Sequence, residues 1–197
     1  KAGIFKTGVA AVIGEPEPAV ATLLADLARR AGANPVGMVY ADGGPTNIRV
    51  SAGGTLFAYD GREWQSPLVG AHQAANGAMT LATLRTLPER FRPTNDVAAA
   101  GLRQVVLPGR FQRSGRYLFD VAHNPAGALV LADALRAVRP DAPVVALLSV
   151  LGDKDWRGVM DALAPVVDSF VLTVAPTSPA SRTWSLPEPL AYAPERG

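Results

Sequence analysis

The chain has 197 residues, 48% hydrophobic and 18% charged, with no cysteine and a formal net charge of +2. That hydrophobic share excludes an intrinsically disordered chain, and the lack of cysteine excludes a disulfide scaffold or a thiolate zinc site, leaving His72 and His123 as the only soft ligands. With so small a charge and no basic run, nucleic acid is not an expected partner. The longest largely apolar stretch, 144–151, falls far short of the ~20 residues of a membrane span.

The chain opens without the apolar core and cleavage site of a signal peptide, so a soluble, cytoplasmic protein is the expectation. Residues 9–13 form a short apolar run that suits a buried strand. After the Pro16 and Pro18 punctuation, residues 19–31 carry helical periodicity, with Val20, Leu23, Leu24 and Leu27 on one face and Gly32 at the C-cap position. A second strand is expected over 36–40, and a hairpin over 48–50 and 55–59. Residues 71–87 read as a helix stopped by Pro88, with Ala75, Met79, Leu81, Ala82 and Leu84 among its apolar positions. A further helix is expected over 96–106.

Near Pro108 and Gly109 the rhythm changes. Strands over 117–122, 144–150 and 170–175 alternate with helices over 126–138 and 156–167, a pattern that implies βαβ units and a mainly parallel sheet. A domain boundary is expected at about residue 106, and 176–194, with five prolines, reads as loop. Nothing in the sequence repeats.

In open parallel sheets ligands bind beyond the carboxyl ends of the strands. Three such ends carry functional groups. The first holds Asp120, His123, Asn124 and Pro125, where Asn124 suits an N-cap and Pro125 the first helical position. The second holds Gly152, Asp153, Lys154 and Asp155, and the third Thr177 and Ser178, with Ser181 and Arg182 following. Acids, cations, a histidine and hydroxyls on one rim suit a charged substrate. The plainer readings are helix caps for Asp155 and Ser178, a structural histidine, and a solvated lysine.

Neither Gly-x-x-x-x-Gly-Lys-Ser/Thr nor Gly-x-Gly-x-x-Gly occurs, and there is no Gly-x-Ser-x-Gly elbow. By itself the chain has no familiar means of cradling ATP phosphates.

Five stretches in order resemble one family: Lys1-Ala2-Gly3-Ile4-Phe5-Lys6, Gly70-Ala71-His72-Gln73-Ala74-Ala75-Asn76, Pro108-Gly109-Arg110-Phe111-Gln112, Asp120-Val121-Ala122-His123-Asn124-Pro125, and Gly152-Asp153-Lys154-Asp155. Together they resemble the folylpolyglutamate synthases and their bifunctional forms with dihydrofolate synthase, in the Mur ligase superfamily. The resemblance implies an α/β protein. Residues 1–106 would be the end of the central ATP-binding domain. Residues 107–197 would be a truncated Rossmann-like, glutamate ligase domain with a mainly parallel sheet. The phosphate loop would lie upstream of Lys1, so the chain alone is expected to be inactive.

The implied reaction is ATP-dependent. A carboxylate of folate or dihydropteroate is phosphorylated, and the amine of L-glutamate attacks the acyl phosphate. ATP and Mg²⁺ are the implied cofactors, small molecules the partners, and a monomer the default. By the same resemblance Lys1 matches a lysine carried as a carbamate, an anionic group near Mg²⁺. Asn76 matches a nucleotide-contacting asparagine and Arg110 an ATP-contacting arginine. Asp120 matches an aspartate on the nucleotide, and His123 a histidine associated with activity. Lys154 and Asp155 fall in a loop that suits the amino acid, while His72 and Gln73 read as structural. Two alternatives stay open: a Mur-type ligase of cell-wall precursors, and a non-catalytic nucleotide-binding module.

Overall fold

The computed structural model describes residues 2–41 and 43–192, in two compact units, Lys1–Val106 and Leu107–Gly197.

In the first unit, strands β1 (Ala11–Ile13) and β2 (Val36–Met38) pair in parallel through helix α1 (Pro18–Arg30). Glu17 caps α1, its side chain accepting the Ala19 N–H, and Pro18 supplies a φ already set for a first turn. The helix ends before Gly32, whose φ of +79° a side chain would strain. Its buried stripe differs from the expected one. Ala21, Ala25 and Ala28 face the strands, whereas Val20 and Leu23 are exposed. Small side chains let the helix lie close to β1 and β2, and closeness outweighs side-chain area here.

A three-stranded antiparallel meander follows, β3 (Thr46–Ser51), β4 (Gly54–Tyr59) and β5 (Arg62–Ser66). Helices α2 (His72–Arg85) and α3 (Asn95–Arg103) pack with it, burying Phe57, Trp64, Ala74 and Leu81 against Ala98, Ala99 and Leu102. Gly77 permits this, because a Cβ there would stand 2.5 Å from Cζ of the fully buried Phe57. The buried positions of α2 are therefore Gln73, Ala74, Gly77, Ala78 and Leu81. Ala75, Met79, Ala82 and Leu84 lie outside that set.

The second unit opens with an antiparallel hairpin, β6 (Gln112–Ser114) and β7 (Tyr117–Phe119), then helix α4 (Pro125–Val138), β8 (Val145–Leu148), α5 (Trp156–Leu163) and β9 (Ser169–Leu172). Among the described residues of this unit only β8 and β9 pair in parallel. Strand β7 stops at Phe119 and hydrogen-bonds to β6 instead of β8. A cavity of about 400 Å³ lies between residues 117–120 and 144–148, floored by Leu131, Leu135 and Leu163. The mixed α/β class holds, while parallel pairing in the second unit is confined to one strand pair among the described residues. Helices α4 and α5 bury Ala128, Ala132, Val159, Met160 and Leu163 with Leu148, Val150 and Trp184. The proline-rich end, expected as loop, contains helix α6 (Pro187–Tyr192). Tyr192 stacks edge-on against Trp156 with ring centroids 5.5 Å apart, so aromatic packing supplies what local propensity lacks.

Candidate functional site

Two helix N-termini meet in the second unit. Asn124 caps α4, accepting the Gly127 N–H at 2.8 Å, and Asp155 caps α5, accepting the Gly158 N–H at 2.9 Å. A Cβ on Gly158 would lie 2.6 Å from Cγ of Pro125, so the first turns of the two helices are in contact. The segments following β7 and β8 therefore open onto one rim, as the alternation of elements implies.

Asp120 anchors that rim. Its Oδ2 accepts the Phe111 N–H at 2.9 Å and its Oδ1 accepts the Ala122 N–H at 2.8 Å. Phe111 is buried and sits at φ +48°, a left-handed conformation costly for a bulky residue. The carboxylate thus ties the turn 108–112 to the end of β7. Gln112 closes the same turn, its Oε1 accepting the Gly109 N–H at 2.9 Å. Arg110, between them, projects an exposed guanidinium that forms no ion pair among the described residues.

His123 is exposed, and its Nδ1 lies 2.9 Å from the Val121 carbonyl oxygen. A carbonyl only accepts, so Nδ1 carries a proton, and Nε2 makes no hydrogen bond among the described residues. The capping geometry assigns Asp155 the plainer of its two readings. Lys154 stands 3.9 Å from Asp153. Ser178 caps no helix, and its N–H makes a turn bond to Ala175 O.

One pairing escaped the sequence reading. Asp153 accepts from Nη2 of Arg182 through both oxygens, at 3.1 and 2.8 Å. The hydrogen bond from Arg182 holds the Asp153 carboxyl below the usual carboxylate range. No spacing rule links residues 29 positions apart.

In the first unit the exposed Asn76 donates its Nδ2 to Gln73 Oε1 at 3.0 Å, and Gln73 Nε2 donates to His72 Nε2 at 2.8 Å. Gln73 is buried, which agrees with a structural part for it. The chain of bonds fixes the Asn76 amide and leaves Oδ1 as an acceptor. Lys1 lies outside the described residues. Among those described, no cluster of three His, Asp or Glu side chains could hold a metal ion, and no helix is long and apolar enough to cross a membrane. The cavity between β7 and β8 is lined mainly by apolar strand and helix residues, with Arg116, Asp120 and Asp141 also on its wall.

Residues 109–193 match the family described as Mur ligase, glutamate ligase domain. Over 174 residues, 83% of this chain, the sequence is 34% identical to the dihydrofolate synthase/folylpolyglutamate synthase of Mycobacterium tuberculosis (strain ATCC 25618 / H37Rv), covering 36% of that relative. The protein of the same description from Escherichia coli (strain K12) is 34% identical over 174 residues, 86% of this chain and 39% of the relative. A solved structure, Mycobacterium tuberculosis folylpolyglutamate synthase complexed with ADP, superposes with a TM-score of 0.83 at 34% identity, covering 100% of this chain and 45% of that one. The chain spans less than half the length of these relatives.

Proposed function

We propose that the chain belongs to the Mur ligase family, among its dihydrofolate and folylpolyglutamate synthases, and is the C-terminal portion of an ATP-dependent amide ligase. The ligase joins L-glutamate to folate, to dihydropteroate, or to both. Identity running through both compact units, rather than through residues 109–193 alone, is the observation that carries this reading.

ATP with Mg²⁺ would supply the phosphoryl group that turns a carboxylate of folate or dihydropteroate into an acyl phosphate, releasing ADP; glutamate's amine then attacks the acyl carbon, and the amide forms as phosphate leaves. On this reading Lys1–Val106 is the end of the ATP-binding domain and Leu107–Gly197 most of the glutamate ligase domain. Arg110, a permanent cation on a turn pinned by Asp120, neutralises phosphate charge. Asp120 spends one lone pair of each oxygen on backbone and keeps the others for ribose hydroxyls. Asn76 Oδ1 meets the adenine edge. His123 Nε2 orients the incoming amino acid or a phosphate oxygen, and Lys1, if carried as a carbamate, would supply an anionic oxygen that helps organise Mg²⁺. We place the ligase in the cytoplasm as a monomer.

The test is phosphate release by the intact ligase with ATP and Mg²⁺, comparing dihydropteroate with tetrahydrofolate. Release that requires both glutamate and a pterin is expected, and the preferred pterin names the branch. A folded protein that binds ATP yet releases no phosphate with either acceptor would overturn the reading in favour of a cell-wall ligase or a binding module.

A further inference from the structure

Three side chains of α2 form a chain of hydrogen bonds with one polarity. Gln73 Nε2 lies 2.8 Å from His72 Nε2, and Asn76 Nδ2 lies 3.0 Å from Gln73 Oε1. An amide nitrogen only donates, so His72 Nε2 accepts from Gln73, and Gln73 Oε1 accepts from Asn76. The His72 ring is itself packed. A Cβ on Gly70 would stand 2.5 Å from its Cε1 and 2.7 Å from its Nδ1. Gln73 is buried, with both ends of its amide occupied. Turning that amide over would set acceptor against acceptor at His72 and donor against donor at Asn76, a costly arrangement away from water.

Packing alone does not call for a glutamine here. The other buried residues of α2 are Ala74, Gly77, Ala78 and Leu81, all without side-chain polar groups. A leucine or methionine would fill a similar volume and need no partners. What the glutamine adds is direction at Asn76, which is exposed one turn along the helix. With one N–H committed to Gln73, the Asn76 amide keeps Oδ1 and its second N–H for a ligand. Exchanging the two ends would place Asn76 Oδ1 against Gln73 Oε1.

That orientation reads one class of base. A 6-aminopurine offers a donor beside a ring-nitrogen acceptor, which an amide oxygen and N–H side by side can meet. A 6-oxopurine offers an acceptor where the donor was, opposite the Asn76 oxygen. We infer that Gln73, through Asn76, makes the nucleotide site select a 6-aminopurine triphosphate over its 6-oxo counterpart. This rests on the ligase reading above and deepens it. Asn76 touches the base on that reading, and Gln73 is a positioning residue that acts through it.

The experiment uses the intact ligase with ATP or ITP as phosphoryl donor, because hypoxanthine lacks the 2-amino group of guanine and isolates the change at position 6. Wild type is expected to prefer ATP roughly tenfold or more in kcat/KM, the scale of one well-placed pair of hydrogen bonds. Gln73→Leu is expected to bring that ratio below threefold by raising the KM for ATP and not that for ITP. Its kcat at saturating ATP and its KM for glutamate stay within twofold of wild type. Gln73→Glu keeps an acceptor against Asn76 Nδ2 and is expected to retain the preference. Should Gln73→Leu fail to fold, Gln73→Met takes its place. A wild-type ratio below threefold, an undiminished ratio in the Leu or Met variant, an equal fall in kcat/KM with both nucleotides, or loss of the preference in Gln73→Glu overturns the inference. Each of these leaves the ligase reading intact. Absence of glutamate-dependent phosphate release with ATP from wild type overturns both.

Discussion

Asp120 holds Phe111 in a conformation that a bulky side chain avoids: its Oδ2 takes the Phe111 N–H at 2.9 Å while Phe111 sits at φ +48°. Burial of the Phe111 ring and a charge-assisted hydrogen bond together offset the backbone strain. Arg110 is the neighbour of that strained residue, so its direction depends on a carboxylate ten positions along the chain.

Replacing Asp120 with Ala leaves the Phe111 and Ala122 amides without their acceptor. The expected cost is about 1–3 kcal/mol, read from the denaturant midpoint, together with weaker ATP binding. Asn at this position retains one carbonyl acceptor and is expected to lose about half as much. Equal stability of wild type and Asp120→Ala would show that the turn is held by Phe111 burial alone.

Contact between α4 and α5 depends on a missing methyl group. A Cβ at Gly158 would meet Pro125 Cγ at 2.6 Å and Asp155 Oδ2 at 2.7 Å. The carboxylate can turn aside and the pyrrolidine ring cannot. Gly158→Val is expected to destabilise by roughly 1–3 kcal/mol through overpacking, and Pro125→Ala in the same chain to return part of that. Strict additivity of the two substitutions would count against the contact.

Elements with strong periodicity and punctuation were legible in advance. Pro18 before α1, Asn124 with Pro125 before α4, and Pro88 after α2 mark helix ends close to where the structure has them. Strand β5 was not legible, because Arg62-Glu63-Trp64-Gln65-Ser66 is too polar to read as a strand. The available signal was Asp60-Gly61, both at positive φ, the sort of two-residue turn that joins strands. Nor could periodicity show that α1 buries alanines, since that choice answers to the distance from β1 and β2. At the rim, Asp120 and His123 stand out by their motif, but the pairing of Asp153 with Arg182 exists only through tertiary structure.

That pairing makes a pH prediction with a definite sign. Arg182 lowers the Asp153 carboxyl below its ordinary range, with Lys154 adding to the attraction. A depressed carboxylate supports the folded loop above its unfolded value, and that support is lost as pH falls through the folded one. The ¹³C carboxyl titration of Asp153 is expected to have a lower midpoint in wild type than in Arg182→Met. Coincident midpoints would mean that solvent screens the pair completely.

The 197 residues contain no phosphate loop motif. Purified alone, they are expected to release no phosphate above background from ATP and Mg²⁺ in the presence of glutamate and dihydropteroate. Turnover at the rate of the intact ligase would overturn this expectation.

His123 separates a structural from a chemical part by a single substitution. Its Nδ1 donates to Val121 O, a bond that Asn at this position can copy through Nδ2, whereas nothing in Asn replaces Nε2. The ring is exposed, so His123→Asn is expected to change stability by no more than about 0.5 kcal/mol. In the intact ligase its kcat/KM for glutamate is expected to fall roughly 10²-fold, the scale on which a positioned acid–base group contributes. If Asn restored the turnover that His123→Ala lost, the Val121 bond would be the residue's whole contribution, and His123 would belong to the scaffold of the rim rather than to its chemistry.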